Sequence, residues 1–194
     1  MRQSTLGVPG VVVALMLSGC GDTLHRSGNN VLGLEDAWVN PAEPDPWAAV
    51  EAADEPTSGR EPNGCKQASG FAHGDKTRLS YAAVTELANS AGIECGYDLV
   101  TAVAVASAES GRYQYAYLQN KSCTYDRGLW QINSYYWKKY SSYDIDTNTK
   151  GMFVISSGGT DFTPWAAYNN GRFGAYWDSA CFAVGEYCGE VYCE

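Results

Sequence analysis

The sequence predicts a mainly α domain with a small β-hairpin, an α+β fold stapled by disulfides. Three observations predict it. Residues 98–110 read as a helix with no polar face, residues 112–133 break into Tyr, Thr and Asn, and six cysteines fall at or after position 65.

Taken in order, the first helix is expected over 79–91. Leu79, Ala82, Ala83, Leu87 and Ala91 recur at helical spacing, and Gly92 supplies a stop. The second is expected from about Asp98, a suitable N-cap, to Ser110. Leu99, Val100, Val103, Val105 and the alanines between them make it apolar all round, so it belongs in the middle of a domain. Gly111 ends it. Residues 112–133, interrupted by Gly128, read as an irregular β-hairpin or extended loop. A short helical piece is expected at 134–140, and a further helix at about 147–156, ended by Gly158 and Gly159. Thr163 as N-cap with Pro164 at the first helical position starts another, which Gly171 closes. The tail, 173–194, holds three cysteines and reads as stapled loop with one short helical piece.

The start of the chain reads differently. Arg2 is a thin positive region, and Val11 to Leu17 form an apolar stretch too short to span a bilayer. It runs into Leu17-Ser18-Gly19-Cys20, which resembles a bacterial lipobox. The resemblance implies that residues 1–19 are removed and that Cys20 carries lipid; an ordinary secretory signal with an incidental cysteine is the alternative. Gly21 after the cysteine implies an outer-membrane destination, facing the periplasm, if the cell has one. Residues 20–76 are expected to be a disordered tether, punctuated by Pro41, Pro44, Pro46, Pro56 and Pro62 and extended by its acidic residues, with Cys65 pinning its end to the domain. The domain itself is placed at 77–194.

The formal net charge is −9, from 13 Lys and Arg against 22 Asp and Glu. No basic cluster exists to release counterions from phosphates, so nucleic acid is not an expected partner. Much of the acidity sits between Glu35 and Glu61. Apart from Cys20, the cysteines are Cys65, Cys95, Cys123, Cys181, Cys188 and Cys193. An even set in a chain with a secretory leader reads as disulfides of undetermined connectivity. Cys-x-x-Cys is absent and His25 and His73 lie far from any cysteine pair, so no metal is implied.

Glu109 is the most informative residue for chemistry. It ends the all-apolar helix, where burial disfavours its charged form and the negative end of the helix dipole does too. A carboxyl that keeps its proton near neutral pH is what a general acid for a glycosidic oxygen requires. Asp126-Arg127-Gly128-Leu129-Trp130-Gln131-Ile132-Asn133-Ser134 follows in the expected hairpin. In an extended strand alternate side chains share a face. Gln131 and Asn133 can then meet sugar hydroxyls, and Asp126 can stand across a cleft from Glu109, the two-carboxylate apparatus of glycoside cleavage.

Glu109-Ser110-Gly111, the block from Asp126 to Ser134, and Trp165-Ala166-Ala167-Tyr168-Asn169-Asn170-Gly171 resemble, in this order, the lysozyme-like superfamily. That superfamily includes bacterial soluble lytic transglycosylase domains and animal lysozymes, and the resemblance covers roughly residues 79–178. It implies a lysozyme-like fold and cleavage of the β-1,4 bond between N-acetylmuramic acid and N-acetylglucosamine in peptidoglycan, without a cofactor. Glu109 is then the catalytic acid, Ser110 helps place substrate or water, and Gln131 lines the glycan cleft. Trp165 packs close to the acid, Tyr168 hydrogen-bonds near it, and Asn169 touches substrate. The setting of Asp126 resembles the animal lysozyme strand that bears the second carboxylate, which favours hydrolysis. Ala-Tyr-Asn and the lipoprotein leader resemble lytic transglycosylases, and the balance leans slightly that way. The chain is expected as a monomer, anchored by lipid in a bacterial cell envelope. The alternatives are a peptidoglycan-binding module without catalysis and a structural envelope lipoprotein.

Overall fold

A computed structural model describes Pro44, Asp45, Trp47, residues 64–189 and Cys193. Cys20, the leader and most of the acidic stretch lie outside the described residues. Among those described, no helix is long and apolar enough to cross a membrane.

The fold is mostly helical, with one small antiparallel sheet and, among the described residues, three disulfides. The centre is helix α2, Tyr97–Ser110, in which Leu99, Val100 and every residue from Ala102 to Ala108 are buried. Burial of side chains such as Leu99 or Val103 contributes about 2 kcal/mol each relative to leaving them exposed. The helix starts from Gly96, two residues earlier than an Asp98 cap would place it, and Gly111 closes it in the left-handed conformation. Around α2 pack α1 (Tyr81–Ser90), α4 (Ala166–Asn169), α5 (Trp177–Cys188) and the 3-10 turn Arg172–Tyr176. The Ser80 hydroxyl caps α1 by accepting the Ala83 N–H. This helix buries Tyr81, Ala83, Val84 and Ala88, with Leu79 buried just ahead of it; Leu79 and Ala83 are buried as the spacing suggested, while Ala82, Leu87 and Ala91 are only partly so. Helix α3, Ile145–Ile155, is capped by Asp144 and packs against α1.

The sheet has the order β1-β2-β3-β4, from Ala68–Phe71, Ala116–Gln119, Tyr125–Arg127 and Ile132–Asn133. Its first strand lies in the stretch the sequence reading gave to the tether: Phe71 pairs with Ala116 and Ala68 with Gln119. Phe71, fully buried against Trp47 and Ala116, forms a second small apolar cluster there. Globular structure therefore begins before Thr77. The short ASGF strand escapes notice in sequence because only its partner strand reveals which face is apolar.

Three local expectations change. Residues 134–140 form turns, not helix: Tyr135 to Lys139 are all exposed, so no buried face holds a helix together. Thr163 is not an N-cap. Asp161 Oδ1 accepts its N–H and hydroxyl instead, and α4 begins only at Ala166. The tail is not mainly loop, because α5 runs for 12 residues and buries Ala180, Cys181, Ala183 and Val184.

The disulfides join Cys65 to Cys123, Cys95 to Cys188 and Cys181 to Cys193. The first ties the segment before β1 to the β2–β3 loop, and the second ties the α1–α2 loop to the end of α5. Their sequence separations are 58 and 93 residues. Cross-links closing loops that long contribute about 4 kcal/mol each by restricting the unfolded chain.

Candidate active site

Glu109 sits one residue before the end of α2, at the floor of a cleft of about 260 Å³. Its side chain is 13% exposed. Asp126, Gln131, Asn133, Trp137 and Trp165 line the same cleft. A second depression, about 660 Å³, continues past Asp126, Asn133 and Tyr136 toward Gln67, Asn120 and Lys121. The two form one groove with Asp126 at the junction.

Burial raises the Glu109 pKa above its ordinary value. Two contacts oppose that rise. The Ala167 N–H donates to Oε1 at 2.8 Å, and the Arg172 Nη2 stands 4.0 Å from Oε2. The nearby Asp126 charge raises the pKa further. Trp165, at the N-cap of α4, offers no side-chain cap, so Glu109 reaches across from α2 to fill that place.

Asp126 is half-buried on β3, and burial raises its pKa too. Two side-chain amides oppose this rise: Asn120 Nδ2 at 2.9 Å from Oδ2 and Asn133 Nδ2 at 2.6 Å from Oδ1. Each carboxylate oxygen thus has its own neutral donor. Asn133 lines the groove, but its amide nitrogen serves Asp126 and its Oδ1 accepts the Tyr135 N–H. It positions the carboxylate and is not free to grasp a ligand with both ends.

The residues of the turn from β3 to β4, just after Asp126, hold that turn in place. Gly128 has φ 76°, and a Cβ there would stand 2.5 Å from the Ser142 carbonyl oxygen, so only glycine fits. Trp130 is fully buried, its indole N–H donating to the Ala102 carbonyl in the middle of α2. Gln131, at φ 45°, turns its amide nitrogen inward onto the Ala116 and Gly128 carbonyls. Its amide N–H groups are used inside the protein, which corrects the expectation that the whole amide reads sugar. Asn148 of α3 completes the turn, accepting the Trp130 N–H and donating to the Arg127 and Tyr140 carbonyls.

Ser110 is fully buried, its hydroxyl 2.6 Å from the Leu129 carbonyl and 3.1 Å from that of Ala106. It cannot touch a ligand. It ties the end of α2 to the turn, and so fixes Glu109 relative to Asp126. Trp165 is where the sequence placed it: buried, beside the acid, with its indole N–H on the Trp130 carbonyl at 2.7 Å. Tyr168 and Asn169 are elsewhere. The Tyr168 ring stacks on Phe173 at 5.1 Å, and the exposed Asn169 donates to the Thr163 carbonyl. From the Ala-Tyr-Asn block, the group that meets the acid is the Ala167 backbone N–H. The helical period explains the exchange, since in a single four-residue turn the side chains at 168 and 169 leave on other faces.

Several site residues escaped the sequence reading. Arg172 and Asn120 lie outside the motif blocks. Tyr136, and Trp137 whose role the sequence left open, are exposed on the groove wall just after the Asp126–Ser134 block. Three consecutive aromatics at 135–137 in a polar context were the available signal. Among the described residues, no group of three or more His, Cys, Asp or Glu is gathered to hold a metal ion.

Residues 85–167, from the middle of α1 to the contact with Glu109, match the family model described as a lysozyme like domain. No curated protein and no solved structure matches the chain. Domains of this family are in general glycosidase-type and related to peptidoglycan. The helix end, the strand β3 and the residues lining the Glu109 cleft thus lie within the matched segment, and the chain carries a lysozyme-like domain.

Proposed function

We propose that this protein cleaves peptidoglycan glycan strands at the β-1,4 bond between N-acetylmuramic acid and N-acetylglucosamine, by hydrolysis, with Glu109 as general acid. The observation that carries the reading is the pair of carboxyls on one groove. Glu109 is biased by burial toward its protonated form, and Asp126 is held by two neutral amides. Glu109 gives its proton to the glycosidic oxygen as the C1–O bond breaks. Asp126, as carboxylate, meets the positive charge that develops at C1, as nucleophile or electrostatic partner. Glu109, now ionised, takes a proton from the water that attacks C1, and both carboxyls return to their starting states.

A lytic transglycosylase needs only one carboxyl, because the muramic acid's own hydroxyl attacks. The Asp126 arrangement would then have no task. Tyr168, whose motif argued for internal attack, packs on Phe173 instead of reaching the acid. Exposed Tyr136 and Trp137 along the groove suit the apolar faces of sugar rings. The Leu-Ser-Gly-Cys leader supports a lipid anchor at Cys20 and a place in a bacterial envelope, where the substrate is.

The test is digestion of purified cell wall with mass spectrometry of the released fragments. Reducing-end muropeptides from the wild type, and none from Glu109→Gln, are expected. Anhydro-muramyl ends would replace hydrolysis by internal attack. No release by the wild type would leave a binding or structural domain.

A further inference from the structure

We propose that Trp47, from the segment ahead of the matched domain, is a positioning residue for Glu109. The last carbonyls of an α-helix lack partners within the helix. At the end of α2 the Ser107 carbonyl accepts the Gly111 N–H and the Ser110 carbonyl accepts the Tyr113 N–H. The Glu109 carbonyl accepts the Trp47 indole N–H at 3.0 Å, across 62 positions of sequence. The backbone of the residue that bears the acid is therefore held from outside residues 85–167.

The docking is built, not incidental. Trp47 is 6% exposed and meets the Phe71 ring at 5.7 Å, and Phe71 meets Tyr113 at 4.9 Å. Asp45 Oδ1 accepts the Trp47 N–H at 2.9 Å, while Oδ2 accepts the Tyr113 hydroxyl at 3.1 Å and faces Arg78 Nη1 at 3.6 Å. Arg78 in turn donates through Nε to the Gly111 carbonyl. A Cβ on Gly111 would come within 3.0 Å of Asp45 Oδ1, so the close approach suits the glycine that ends α2. Asp45 and Trp47 thus hold the helix terminus by contacts separate from Ser110, which ties it to the Leu129 carbonyl. Between them the two contacts fix where Glu109 stands relative to Ala167 and Asp126.

This inference rests on the reading of Glu109 as the acid, and its test separates the two. In the full chain, Trp47→Phe keeps a ring in the cluster and removes the N–H. Leu87→Ala, remote on α1, serves as a control for general loss of stability. In Trp47→Phe, kcat on soluble glycan fragments should fall about tenfold with KM unchanged, the signature of a displaced reacting group. The amide resonance of Ala167, which reports the hydrogen bond to Glu109 Oε1, should move in Trp47→Phe and stay in Leu87→Ala. A Trp47→Phe enzyme within about twofold of wild-type kcat, well short of what a displaced acid costs, with an unmoved Ala167 resonance, overturns the proposal. So does a Leu87→Ala variant that reproduces the kcat loss at a similar fall in Tm. If the wild type releases no fragments, the catalytic reading fails, and the Ala167 resonance alone decides whether Trp47 positions the Glu109 carboxylate.

Discussion

The two walls of the groove present a carboxyl each, and they hold it by different means. On the helix wall Glu109 is surrounded by apolar packing, and its polar contacts are one backbone N–H and an arginine that is itself 54% exposed. On the strand wall Asp126 is less buried and is gripped by two asparagine amides. A neutral amide stabilises a carboxylate without adding charge, whereas a mobile cation can leave. The difference suits opposite tasks. In the proposed mechanism Glu109 loses and regains a proton within one turnover, while Asp126 stays ionised and in place.

Variants can break that comparison, and the largest effect is expected at the helix wall. Glu109→Gln should lower turnover about a thousandfold or more while wall binding persists, measured by fragment release and by co-sedimentation with insoluble wall. Asp126→Asn comes next. It should lower kcat about a hundredfold if the strand wall supplies the second carboxylate, and leave turnover nearly intact if the attack is internal. Fragment release by the variant, followed by mass spectrometry, distinguishes the two.

The pH profile sharpens the comparison further. The proposed hydrolysis needs Glu109 protonated, so activity should be lost as pH rises through that pKa. It needs Asp126 ionised, so it is lost as pH falls through the other. Burial raises both, which moves both limbs of the bell upward from ordinary carboxyl positions. Asn133→Ala removes a donor that favours ionised Asp126; the acidic limb should move up, the bell narrow, and kcat fall about tenfold. Arg172→Ala removes a cation that favours ionised Glu109; the basic limb should move up and the bell widen. An exposed partner 4.0 Å away is well screened, so the change at the optimum should stay within about twofold. A shift confined to the acidic limb in Asn133→Ala and to the basic limb in Arg172→Ala, read from kcat against pH, would confirm which wall carries which task.

Legibility in the sequence followed the range of the interactions. Helix α2 and Glu109 at its end were readable, because a helix apolar on every side has only one place to go. The carboxylate on β3 and the Trp165 contact were readable from motif blocks. The roles of Ser110 and Gln131 were not. Both residues belong to the motif, yet their hydrogen bonds run to the carbonyls of Leu129, Ala116 and Gly128: Ser110 is fully buried, and Gln131 lines the cleft while its amide nitrogen holds the turn. A motif records which residues a site requires without recording whether each one touches the substrate or the scaffold. Tyr168 shows the reverse case, a motif residue whose ring packs on a neighbour that only the chain's path after Gly171 brings near.

Composition and local pattern alone determined the helical class, the buried central helix, the cysteine framework and the acid at a helix end. These depend on periodicity and on burial, which a linear sequence encodes directly. Tertiary structure alone decided which cysteines pair and that the ASGF segment is a strand. It also decided that the Glu109 carboxyl caps α4 through Ala167, and that Trp47 reaches its carbonyl from 62 positions away. Each of those is a contact between distant segments. Its partner is set by packing geometry, and no residue near it in the sequence carries that information.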